Sequence, residues 1–357
     1  MSAERGAHTY AEIMSQPEVW AQTIETFHSH SESLKAFWGG QQPDQVIFTG
    51  CGSTYYLSQI AASLFQHSLR IPAYAYPASE IALYPDLTLA TGTNSMLVTI
   101  SRSGSTTETV QAVRVYREKA AGKVLAITCD SQSPLAQGAD YNLATDAAQE
   151  KSLAQTRSFS SMTILAEAMV ALLSDSGDLA QIDQLVPTVR RLLGEYHDLA
   201  RMLAETPFIQ RFFFLGSGFL RGMASEAMLK MKEMSLAYSE AYHMLEFRHG
   251  PMSMVNHQSL VVGLLSDQAF PQEAAVLRDM QRRGARVLAL AEARGSLDLS
   301  TGSHFVELAS GLPQGLRPVI YLPVLQLMAY YRAMAGTENP DLPADLSSVI
   351  SLNESLT

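Results

Sequence analysis

Residues 45–52 read Gln45-Val46-Ile47-Phe48-Thr49-Gly50-Cys51-Gly52, an apolar, partly β-branched run that stops in a glycine turn. A helix-like stretch, Tyr55 to His67, follows it. A short apolar run closed by glycines and followed by a helical pattern is one strand–turn–helix step of a parallel sheet. Ser95–Ile100 predicts a second strand, and it ends in Ser101-Arg102-Ser103-Gly104-Ser105-Thr106-Thr107. Glu108 to Ala121 predicts the next helix and Val124–Thr128 a third strand. Strands alternating with helices imply an α/β fold with a parallel sheet covered on both faces.

The pattern then recurs. Phe212-Phe213-Phe214-Leu215 with Gly216-Ser217-Gly218 repeats the first strand and turn, and Gly52 to Gly218 is a shift of 166. Leu260–Leu265 matches the second strand, with Leu97 set against Leu260, and Val287–Ala291 matches the third, each at a shift of 163. Three elements at a nearly constant shift argue for duplication of one unit. The expected organisation is a helical lead-in over 1–44, doubly wound subdomains over 45–190 and 191–335, and an extended tail over 336–357. Asn339-Pro340 and Pro343 break any helix in that tail.

The chain has 357 residues, 47% hydrophobic and 17% charged, with a net charge of −10 and a pI near 5.4. That supports real cores but makes a poor partner for nucleic acid or an anionic membrane. Two cysteines, Cys51 and Cys129, suggest neither a disulfide framework nor a zinc site. Both follow apolar runs and read as buried, reduced thiols. No His/Cys/Asp cluster has metal-ligand spacing, so neither metal nor cofactor is expected. The start of the chain has no apolar signal segment, and the apolar run Pro318–Met334 is broken by Pro323, Gln326 and Arg332. A core helix there, and a cytoplasmic location, are the expectations.

Two stretches carry chemistry. The loop 101–107 holds five hydroxyls and Gly104 between a strand and a helix. Free N–H groups and the macrodipole at a helix N-terminus favour an anion, and hydroxyls can donate to phosphate oxygens without a basic surface. Ser105-x-x-Glu108 also fits a plain capping box, which would use only one hydroxyl. A nucleotide fits less well, because Gly50-x-Gly52 lacks the third glycine and no G-x-x-x-x-G-K-[ST] run occurs. The second stretch is Glu226 to Pro251. Glu226, Lys230 and Glu233 fall within roughly 60° on one helix face, and His249 follows on an extended arm beside Gly250-Pro251. A carboxylate, an amine and an imidazole are the groups that move protons around a sugar. An i,i+4 pair such as Glu226–Lys230 can also simply decorate a solvated face opposite Ala224, Ala227, Met228, Met231, Met234 and Tyr238.

Taken together with further motifs, these residues resemble the double-SIS (sugar isomerase) family along nearly the whole chain. The motifs are Glu12-Ile-Met-Ser-Gln-Pro17, Gly50-Cys-Gly-Ser-Thr-Tyr55, Ala78-Ser-Glu80, Ser101 to Thr109, Glu150-Lys-Ser-Leu-Ala-Gln-Thr-Arg-Ser-Phe159, Glu226 to Gly250 and Asn339-Pro-Asp-Leu-Pro343. The chain is similar to the isomerase domain of glucosamine-6-phosphate synthase and to stand-alone deaminases. The resemblance implies that Thr54, Ser101, Ser103 and Thr106 hold a sugar phosphate, with Arg102 among them. It implies that Glu233 shuttles a proton between C1 and C2, that His249 opens the pyranose ring from the partner subunit, and that Lys230 stabilises enolate charge. Leu153 and Gln155 align with contacts to the sugar. Arg157 resembles the deaminase and deglycase group and adds a cation, and Glu226 is placed with the substrate contacts. Ser348 stands where the synthase tail carries a lysine, which weighs against Schiff-base chemistry.

The implied activity is a homodimeric, isomerising deaminase of glucosamine 6-phosphate with a shared active site. With no glutaminase-like segment, glutamine is not expected as the ammonia source. A galactosamine-6-phosphate deaminase and a fructosamine-6-phosphate deglycase are the enzymatic alternatives. A non-catalytic sugar-phosphate sensor is the alternative of another class, though it would not need the Glu233 and His249 pair.

Overall fold

The computed structural model describes residues 4–90, 92–120, 122–344 and 346. The chain forms two compact units. The first-repeat unit takes Glu18–Glu150 and Arg157–Asp183; the second-repeat unit takes Met1–Pro17, Lys151–Thr156 and Gln184–Leu346. The lead-in supplies helices α1 (Ala7–Met14) and α2 (Gln16–Gly39).

In the first-repeat unit the strands are β1 (Gln45–Gly50), β2 (Ala73–Pro77), β3 (Ser95–Ser101), β4 (Val124–Thr128) and β5 (Tyr141–Ala144). They form one parallel sheet in the order β2-β1-β3-β4-β5. Its helices are α3 (Ser53–Leu69), α4 (Ala78–Leu83), α5 (Pro85–Thr88), α6 (Thr107–Lys119), α7 (Pro134–Gly138) and α8 (Arg157–Leu173). The central strands are buried along their length, as β3 shows from Ser95 to Ser101. Continuous apolar runs of this kind need helices on both faces.

The second-repeat unit has β6 (Arg211–Gly216), β7 (Tyr238–His243), β8 (Ser259–Leu264), β9 (Arg286–Ala291) and β10 (His304–Glu307), in the order β10-β9-β8-β6-β7. Read from β7, this is the first sheet's order again, and every pair is parallel. Its helices are α9 (Leu185–Glu195), α10 (His197–Glu205), α11 (Leu220–Ser235), α12 (Phe270–Arg282) and α13 (Pro323–Ala335). The apolar run near the C-terminus is thus a short 3₁₀ turn, Pro318–Tyr321, and then a buried helix.

Register refines the repeat. Ile47 lies beside Leu97, and Phe213, its counterpart, lies beside Val261. Leu97 therefore corresponds to Val261 rather than to Leu260. The pattern could slide by one because both faces of a buried strand are apolar. The strands that pattern missed, β2, β5, β7 and β10, are sheet edges of four to six residues and only partly buried. They carry no unbroken apolar run to read.

In each sheet the chain leaves the first strand toward one edge and the second toward the other. The crevice at the carboxyl ends of such a pair, β1/β3 or β6/β8, is where doubly wound sheets bind ligands.

Candidate active site

At the end of β1, a Cβ on Gly50 would meet Thr54 Oγ1 at 2.5 Å and the Thr54 carbonyl carbon at 2.7 Å. Glycine here lets α3 start flush against the strand end. Gly52 takes φ 54, a left-handed value. Thr54 is buried, and its Oγ1 accepts from the Cys51 N–H at 2.9 Å and donates to the Cys51 carbonyl at 2.9 Å.

The loop after β3 folds on its own hydroxyls. Ser101 is buried; its Oγ accepts from the Gly104 N–H at 3.1 Å and lies 3.2 Å from Thr106 Oγ1. Ser103 Oγ accepts from the Ser105 N–H at 3.3 Å and from its hydroxyl at 3.1 Å. Gly104 has φ 58, and a Cβ there would fall 2.0 Å from Ser133 Oγ. The predicted capping box does not form. α6 begins after Thr106, which makes no side-chain cap, and Ser105 lies outside the helix. The loop hydroxyls therefore stand between the carboxyl end of β3 and the first-turn N–H groups of a 13-residue helix. Such a loop can hold an oxyanion.

Arg102, on this loop, pairs with Glu150 at 3.6 Å, and the Glu150 side chain is fully buried. Ser158 also donates to Glu150. Arg157 donates to the Gln149 carbonyl. Thr54, Ser101, Arg102, Ser103, Thr106 and Arg157 thus all belong to one unit. Burial pushes the Cys51 thiol up to about 11, and raises Cys129 further still. Both are free thiols with little thiolate at neutral pH.

The charged helix of the second-repeat unit is not a solvated face. Glu226 and Lys230 are 0% and 1% exposed, and Glu233 is partly exposed. Lys230 Nζ lies 2.6 Å from Glu233 Oε2 and 3.4 Å from Glu226 Oε1. One ammonium thus sits between two carboxylates, with only Glu233 open to solvent. Met231 and Met234 are buried on the same helix, whereas Tyr238 falls in β7 and is exposed. His249 caps the 3₁₀ turn Glu246–Arg248, donating its N–H to the Glu246 carbonyl at 2.9 Å, and it is exposed.

Leu153 and Gln155 lie on the segment Lys151–Thr156. Buried Glu12 holds it by accepting from the Lys151 N–H at 2.6 Å and from Ser152. The Leu153 N–H donates to the Asp341 carbonyl at 3.0 Å. Asp341 in turn accepts from the Thr9 N–H at 2.7 Å and its hydroxyl at 2.8 Å. Gln155 Oε1 is buried with no hydrogen-bond partner among the described residues. Ser348 lies outside the described residues. Glu150 and Asp341 were not expected as supports for site residues, and the sequence offers no periodic signal for such long-range pairs. Among the described residues no group of three or more His, Cys, Asp or Glu is placed to hold a metal ion. No helix there is long and apolar enough to cross a membrane.

Comparison with known proteins gives the family. The SIS domain pattern matches residues 41–172 and again 209–334, so the chain belongs to the SIS domain family and carries two repeats. It is 27% identical over 363 residues to a glutamine–fructose-6-phosphate aminotransferase (isomerizing) of Pyrococcus horikoshii, covering 98% of this chain and 59% of that protein. The chain spans about three fifths of the length of the curated relatives it matches. A glucosamine-6-phosphate deaminase structure from Thermotoga maritima superposes with a TM-score of 0.72 at 27% identity, covering 93% of this chain and all of that one. The tagatose-6-phosphate ketose/aldose isomerase of Escherichia coli superposes with a TM-score of 0.85 at 23% identity, over 96% of each chain, a likeness of fold.

Proposed function

We propose that this SIS-family chain is a sugar-phosphate aldose–ketose isomerase that releases ammonia, converting glucosamine 6-phosphate and water to fructose 6-phosphate and ammonia. The observation that carries the reading is the buried Glu226–Lys230–Glu233 group with one carboxylate open to solvent. A buried ion pair is weak evidence for stability, since apolar residues of similar size often serve better. Here that points to chemistry. The likeness to a glucosamine-6-phosphate deaminase, at 27% identity, supports the amino-sugar substrate.

In this reading the hydroxyl loop 101–106 and Thr54 hold the phosphate, and Arg102 and Arg157 add local positive charge to an acidic chain. Gln155 Oε1 supplies an acceptor toward the sugar. His249, contributed by the partner subunit of a homodimer, moves the proton that opens the ring. Glu233 takes the proton from C2 of the open-chain aldehyde while O1 gains one, giving a C1=C2 double bond. Lys230 faces the negative charge that develops at O1. Glu233 returns its proton to C1 as the amine loses one, and C2 becomes an imine carbon. Water adds at C2 and ammonia leaves. Apart from ring opening, addition of water and departure of ammonia, every step is a proton transfer.

The test is release of ammonia and fructose 6-phosphate from a panel of glucosamine 6-phosphate, galactosamine 6-phosphate and fructosamine 6-phosphates. Preferred turnover of the first supports the reading. Ammonia from none of them sinks it.

A further inference from the structure

The second repeat keeps its own crevice. A cavity of about 450 Å³ lies at the carboxyl ends of β6 and β8, lined by Ser217, His243, Ser266, Gln268, Gln272 and Gln314 among others. Small-molecule sites run from roughly 300 to 1,000 Å³. It is the counterpart of the crevice that holds the hydroxyl loop in the first repeat, because Gly216 and Gly218 repeat Gly50 and Gly52 down to φ 55 against 54.

The lining is different chemistry. By strand register Ser101 corresponds to Leu265, which is fully buried, and Ser103 to Asp267. The hydroxyl loop is gone. The nearby cation, Arg317, is committed to Asp267 in a two-pronged ion pair and lies 3.6 Å from Glu292. Glu273, 0% exposed, lies in the first turn of α12, where its Oε2 accepts from the Ser266 N–H at 2.7 Å. A carboxylate thus already occupies the helix end that would attract an anion. Burial raises the Glu273 carboxyl above its ordinary range, against the opposing effect of Ser266.

His243 Nδ1 is buried with no hydrogen-bond partner among the described residues, and Ser217, on the cavity wall, lies against the Glu273 carboxyl. Buried polar groups left unmatched cost stability, so natural structures rarely keep them without a role. Ser217, His243 and Ser266, with the amides of Gln268, Gln272 and Gln314, give the cavity lining both donors and acceptors. A hydroxyl both donates and accepts, and so matches such a lining; a phosphate dianion brings no donor and finds no Lys or Arg in it.

We propose that this cleft is a second ligand site, for an uncharged, hydroxyl-rich molecule of monosaccharide size. It does not depend on the reaction assigned to the first crevice.

The test is calorimetric titration of the full chain with glucose, N-acetylglucosamine and myo-inositol, with excess fructose 6-phosphate present to occupy the first crevice. Inorganic phosphate serves as the anionic probe. Saturable binding of at least one neutral probe is expected, and Ser101→Ala/Ser103→Ala should keep it. Ser217→Ala, which removes a lining hydroxyl, should weaken it roughly fivefold, the worth of one hydrogen bond. Gln272→Trp at the exposed rim gives a second check by filling the cleft, and it should abolish binding. No saturable binding of any neutral probe overturns the proposal. So does binding untouched by Gln272→Trp, or displacement of the sugar by phosphate alone.

Discussion

Helices α3 and α11 follow the same glycine turn, 166 residues apart, and bury the same positions with opposite chemistry. Ile60 and Leu64 of α3 are each 1% exposed. Their counterparts are Glu226 and Lys230, 0% and 1% exposed. The first repeat fills both places with apolar side chains, and the second fills them with charge. The difference runs the other way at the next loop, where the first repeat has Ser101 and Ser103 and the second has Leu265 and Asp267. Duplication has left one frame with two divided tasks: hydroxyls at one crevice, an ion triad on the helix beyond the other.

The comparison breaks most sharply at Glu233. Glu233→Gln keeps the shape and removes the base, and turnover should fall by roughly 10²–10⁴ or more. A rate within tenfold of the parent would remove Glu233 from the mechanism. Grafting the first repeat's residues is the more telling variant. Glu226→Ile with Lys230→Leu should lose turnover by a similar factor, yet match or exceed the parent's melting temperature. Lys230→Met alone should instead cost about 3–5 kcal/mol, because it leaves the buried Glu226 carboxylate without its cation. If the double graft melts far below the parent, the triad is structural and the contrast between the helices means little.

The proposed sharing of the site between subunits is tested by mixing His249→Ala and Glu233→Gln chains after verified subunit exchange. If the histidine comes from the partner, each mixed dimer regains one intact site, and about a quarter of all sites recover. No recovery after exchange would place the site within a single chain. On the hydroxyl loop, Ser101→Ala with Ser103→Ala should raise KM roughly a hundredfold and change kcat only a few-fold, since those contacts already exist in the ground state. An unchanged KM with a lower melting temperature would return the loop to a purely structural role.

The smallest effect concerns pH. The folded-state pKa of Glu273 is raised above the ordinary Glu value of 4.5, so the folded chain holds that proton longer than the unfolded one. The associated stability is present below the ordinary Glu pKa and is lost as pH rises through the folded value. Glu273→Gln should flatten that part of the stability–pH curve, as denaturant titrations across the range would show. An unaltered slope would mean that the group does not titrate there.

The legible part of this molecule is the part that repeats in short range. Apolar runs such as Val46–Phe48 and Phe212–Leu215, each closed by glycines, determine a parallel sheet and its duplication, because a strand buried on both faces must be continuously apolar. Hydroxyls between a strand and a helix, as at 101–107, mark a crevice loop for the same local reason. What only the tertiary structure decided is where charge ends up. An i,i+3/i,i+4 triplet looks the same in sequence whether water or protein surrounds it, and packing alone put Glu226 and Lys230 inside. The hold of Glu12 and Asp341 on Leu153, and of Glu150 on Arg102, joins residues tens to hundreds of positions apart. Such pairs leave no periodic trace, since their energy depends on a distance that only the folded chain sets.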